Sequence, residues 1–133
     1  MGDNSLAASA PPVALVHLAI RFALELVLLA GLAYWGWHLG GGGATGVLLA
    51  VLLPVVAGAL WGIFRTLGDH GGRPVVPVPG IVRFGLEIAL IGIATYGVWT
   101  SGSRAAAETM LTAFALHYAV TWPRTAWLLR SQG

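Results

Sequence analysis

The chain has 133 residues, one domain's worth, and its 57% hydrophobic and 9% charged residues lie far from the soluble balance of about half apolar and a quarter charged. Water is therefore excluded as its main solvent. The absence of cysteine excludes disulfides, thiolate metal sites and a cysteine nucleophile. A net charge of +2, from seven Arg and five acids with no basic run, gives no footprint for nucleic acid.

Residues 1–12 are small and polar and lack the basic n-region of a secretory signal, so they are predicted to be a disordered tail before a retained first span. The apolar blocks at residues 13–37 and 44–64 each meet the roughly 20 residues that cross a 30 Å hydrocarbon layer. Between them, His38-Leu39 and four glycines, Gly40 to Gly43, predict a tight, uncharged reversal. Pro54 falls inside the second block and is expected to kink it. Residues 65–80 turn polar and carry Pro74, Pro77 and Pro79, which breaks any helix and marks the longest loop. Spans are predicted again at 81–100 and 105–122. The chain continues past Pro123 as a kinked or interfacial turn, so the transmembrane domain covers 13–130, with a tail at 131–133.

The fold class is thus expected to be all-α and integral to the membrane, with four transmembrane helices. Arg21, Arg65, Arg73, Arg83, Arg124 and Arg130 fall at one side of those spans and only Arg104 at the other. This places both termini inside a bacterial cytoplasmic membrane. Tyr34, Trp37, Tyr96 and Trp99 then mark the outer interface, and Trp61, Trp122 and Trp127 the inner one.

The first block repeats in the third. At an offset of 62, Arg21-Phe22-x-Leu24-Glu25 aligns with Arg83-Phe84-x-Leu86-Glu87, Tyr34 with Tyr96 and Trp37 with Trp99, seven identities in 17 positions. The first and third spans cross in the same direction. The halves are therefore expected to be two parallel two-helix repeats about an axis along the membrane normal.

The duplicated R-F-x-L-E pattern is the most informative feature, because Arg or Glu within a span costs on the order of 2.5 to 3.5 kcal/mol. Residues four apart share a helical face, so Arg21 with Glu25 and Arg83 with Glu87 are expected to pair. Removing both members of a pair should then cost less than removing the Glu alone. Two readings follow from this. Either the pairs only fix helix register, or Glu25 and Glu87 meet and, with His117 at similar depth, bind a proton or a small lipophilic or cationic ligand. A single interior His gives no metal site, and nothing in the chain calls for a cofactor.

With R-F-x-L-E, the outer Tyr and Trp, and a second span ending Leu60-Trp61-Gly62-Ile63-Phe64, the sequence resembles the YrdB family of small bacterial membrane proteins from about Ala19 to Trp122. The resemblance implies the four-span architecture and carries over no catalytic residue. Function is left between a ligand- or proton-binding membrane protein, a dimeric proton-coupled exporter of small molecules, and a small membrane enzyme using Glu25, Glu87 and His117 on a lipophilic substrate. No motif specifies a reaction. The exporter reading adds a homodimer to the lipid bilayer as an expected partner.

Overall fold

The computed structural model describes residues 15–69 and 73–131; the predicted N-terminal tail lies outside them. Five helices run through the described residues: α1 (Leu15–Leu39), α2 (Gly43–Ile63), α3 (Gly80–Thr100), α4 (Arg104–Val120) and α5 (Trp122–Arg130). A parallel ladder of two short strands, β1 (Phe64–Arg65) and β2 (Val76–Pro77), closes the long loop by pairing Phe64 with Val76 and Arg65 with Pro77.

Three helices, α1, α2 and α3, are long and apolar enough to cross a membrane. At a rise of 1.5 Å per residue the 21 residues of α3 reach about 31 Å, the thickness of a hydrocarbon core. The 17 residues of α4 reach about 25 Å. α2 shows what solvent these helices want. It buries only Gly46 and Ala57, and leaves Val47, Leu48, Val51, Leu52, Val55 and Val56 exposed. A helix apolar all round that buries so little of itself in protein is built to face lipid. It runs unbroken through Pro54.

The reversal between α1 and α2 forms as the glycines predict, with Gly41, Gly42 and Gly43 at φ of 71°, 75° and 62°, a region open to glycine at no steric cost. This lets α1 and α2 run side by side from the turn onward. At Gly36 a Cβ would stand 2.5 Å from the Leu49 backbone, so the two helices touch main chain to main chain.

α3 is the central helix, packed by α1, α4 and α5. Its buried face runs as one line from Gly80 through Arg83, Glu87, Leu90, Ile91 and Ala94 to Val98. The apolar part meets Leu24, Leu28 and Leu32 of α1 and Ala107, Met110 and Phe114 of α4. The polar part, at the N-terminal end of α3, is where the remaining elements converge. Pro123 starts α5 as a separate helix, because proline suits a first helical turn and not an interior. α5 folds back on α3, where Gly80 N–H donates to the Ser131 carbonyl at 2.9 Å.

Candidate functional site

The site grows from Glu87, whose side chain is fully buried. Its Oε1 accepts from Arg83 Nε at 2.8 Å, one turn earlier on α3, and from Arg21 Nη2 at 2.8 Å, across the interface with α1. Arg124 of α5 reaches both oxygens, through Nη2 to Oε1 at 3.0 Å and Nη1 to Oε2 at 3.3 Å. The Tyr118 hydroxyl of α4 also donates to Oε2. Five donors meet a group with about four lone-pair sites. Glu87 is saturated, so it has no acceptor capacity left for a ligand.

Each arginine is then tied outward. Arg124 also grips Asp69 of the long loop, through Nε to Oδ1 at 3.0 Å and through Nη2 to Oδ2. Burial works against its charge, but the Asp69 and Glu87 carboxylates outweigh that and raise its pKa above the ordinary arginine value. Arg83 Nη1 donates to the carbonyls of Trp61 and, at 2.8 Å, Phe64. It thereby satisfies the end of α2, whose last carbonyls lack helical partners. Arg21 Nε lies 3.4 Å from Glu25 Oε1, and Glu25 accepts the indole N–H of Trp61 at 2.8 Å. The guanidinium carbons of Arg83 and Arg21 sit 4.9 Å and 5.7 Å from the Trp61 ring centroid, within cation–π range.

Both predicted Arg/Glu pairs therefore form, but not as equals. Glu87 is the hub of a network drawn from four helices, whereas the Glu25 side chain is 28% exposed. Arg21 connects them. His117 is buried beside the same cluster, its ring 6.2 Å from that of Tyr118; the neighbouring tyrosine, not the histidine, contacts Glu87. Tyr34 is remote, tying the outer end of α1 to the loop after α3 through Ser101 and Ser103.

Sequence reasoning missed Trp61, Asp69, Tyr118 and Arg124 as members of the cluster. One signal was available. The residues predicted to lie at one end of the spans include three acids, Glu25, Asp69 and Glu87, and buried charge demands partners, so the arginines beyond the duplicated motif were candidates to supply them.

Beside this network lies a cavity of about 540 Å³, lined by Arg21, Arg65, Arg83 and Arg124 together with Glu25 and Asp69. Leu18, Phe22 and Trp61 give it an apolar side, and His117 borders it. Among the described residues, four guanidinium groups and two carboxylates line it, and the Glu87 carboxylate lies buried beside it. Among the described residues, Arg21 Nη1 and Arg83 Nη2 make no hydrogen bond to protein, and neither is sealed from the cavity. Two guanidinium edges on one tryptophan, with donors to spare, can bind an oxyanion.

The chain is 27% identical over 115 residues to the Bacillus subtilis (strain 168) protein described as "Uncharacterized protein YrdB", covering 85% of this chain and 93% of that protein. No solved structure matches. The family model described as "Protein of unknown function (DUF2568)" matches residues 19–122, a stretch that spans the network from Arg21 to Tyr118, and the chain belongs to that family.

Proposed function

We propose that this protein is a membrane-embedded binding protein for a small anion, which enters from the cytoplasmic side and is held by Arg21 and Arg83 against Trp61. The carrying observation is the pair of guanidinium edges, on Arg21 and Arg83, left open in a cavity lined by four arginines. In this reading α4 is a fourth span, both termini are cytoplasmic in the inner membrane, and the two halves are parallel repeats. The meeting of Arg21 and Arg83 on one oxygen of Glu87 supports that arrangement, since repeats about an axis along the membrane normal bring equivalent residues to equal depth.

An anion fits better than the cation that two converging carboxylates would take, because Glu87 is fully occupied and Glu25 already accepts from Trp61 and pairs with Arg21. The saturated Glu87 also argues against a proton-coupled exporter, which needs a carboxylate free to gain and lose a proton. One chain supplies every group of the cavity.

The test is protection against thermal unfolding by phosphate, acetate and tetramethylammonium, each against a chloride background. Phosphate or acetate should raise the melting temperature of the parent and not of Arg21→Gln, in which a neutral amide replaces one edge. Stabilisation by tetramethylammonium alone, or equal anion effects in both proteins, would overturn the reading.

A further inference from the structure

The cavity does not end at its arginines. A second, apolar space of about 180 Å³ lies between α1 and α2, lined by Leu28, Leu29, Ala57 and Gly58, and it shares Glu25, Trp61 and Gly62 with the first. The two spaces thus meet at the Trp61 ring and the Glu25 side chain. Around them stand opposite chemistries: guanidinium groups toward the inner boundary, hydrocarbon toward the middle of the membrane. Gly58 and Gly62 have open space where a Cβ would stand, so between Ala57 and Trp61 the α2 wall of the groove carries no side chain at Gly58. Arg83, only 2% exposed, is the buried polar group aimed into the cavity.

Resting on the anion-binding reading above, we propose that the ligand is a single-chain anionic amphiphile of charge −1, a long-chain carboxylate, with its head on Arg21 and Arg83 and its chain in the groove between α1 and α2. Arg21 and Arg83 each leave one edge open, enough for the two oxygens of one carboxylate. A planar carboxylate also suits two guanidinium edges. The adjoining groove is too apolar to hold ordered water, so hydrocarbon is its natural filling. A ligand lying this way enters laterally from the inner leaflet, with its head at the depth of the arginines and its chain parallel to the lipid chains.

The groove can be filled without touching the arginines. Gly58→Leu places a side chain in the open space and replaces a poor helix former by a good one. Gly92→Leu, at another open glycine on α3 outside the groove, is the control for adding a leucine. Parent and variants are placed in nanodiscs of zwitterionic lipid, and the affinities of acetate and decanoate are measured by displacement and by protection against thermal unfolding.

Each methylene that the groove accepts should tighten binding about fourfold. A groove-filling leucine that excludes several of them should therefore weaken decanoate at least tenfold and leave acetate unchanged, while Gly92→Leu matches the parent for both. Because partition of decanoate into the nanodisc is common to all the proteins, it cancels in the comparison. Decanoate binding that is the same in Gly58→Leu and parent would overturn the amphiphile and leave the anion site standing. Failure of both acetate and decanoate to bind the parent would overturn both.

Discussion

The two copies of R-F-x-L-E are identical in sequence but should respond very differently to the same mutation. Glu87→Ala removes the common acceptor of Arg21, Arg83, Arg124 and Tyr118 from a site with no solvent access. Breaking a buried ion pair by deleting one partner costs about 3 to 5 kcal/mol. The outer contacts of Arg83 and Arg124 limit the loss to that range. Glu25→Ala removes one indole hydrogen bond and one 3.4 Å ion pair from a side chain that is more than a quarter exposed, and solvent screening holds its cost to about 1 to 2 kcal/mol. A gap of about 1 to 4 kcal/mol, at least roughly fivefold in the folded-to-unfolded ratio, should separate the two in equilibrium unfolding in mild detergent. The paired deletion sharpens the test. Sequence alone predicts that Arg83→Ala rescues Glu87→Ala, but in the structure Arg83 also holds the carbonyls of Trp61 and Phe64, and Arg21 and Arg124 remain without their acceptor. The double variant should be no more stable than Glu87→Ala. Equal losses for the two glutamates, or full rescue by Arg83→Ala, would refute the hub.

Trp61→Phe keeps a ring under the arginines but deletes the N–H to Glu25; a loss of about 1 kcal/mol in the same unfolding assay is expected, with weakened anion binding. Asp69→Ala leaves buried Arg124 with Glu87 alone and should cost about 1.5 to 3 kcal/mol; a change within error would mean that the loop does not latch α5. Gly80→Ala would set a Cβ 1.5 Å from the Leu128 carbonyl oxygen, a clash with backbone that cannot yield, so trypsin should cut at Arg124 and Arg130 faster than in the parent. Reporter fusions at the two termini should both read cytoplasm, given six of seven Arg on one side of the spans; an external signal from either would remove α4 as a span.

How far the sequence could reach is clearest in those two glutamates. Apolar blocks long enough to cross a membrane, the glycine reversal and the four-residue Arg/Glu spacing are local properties, and α1, α2, α3 and both pairs follow from them. The difference in fate between Glu25 and Glu87 is not local. Glu25 lies at the α1–α2 interface and finds Trp61, whereas Glu87 lies on the central helix, where Tyr118 of α4 and Arg124 of α5 arrive 31 and 37 residues later. Those separations carry no periodicity. They depend on Pro123 ending one helix and starting another that folds back, and the sequence placed only a kink or turn there. Arg124 could be counted toward topology, yet nothing in its spacing showed that it turns inward. His117, singled out by its residue type, borders the cavity, while the adjacent tyrosine, which carried no such signal, donates to Glu87.

The central claim is that Arg21 and Arg83 hold an anion against Trp61, and the most direct measurement is anomalous diffraction from crystals grown with bromoacetate. The account predicts a bromine peak inside the arginine-lined cavity, with the carboxylate on Arg21 Nη1 and Arg83 Nη2. An empty cavity, with bromine only at exposed arginines such as Arg104, would contradict it.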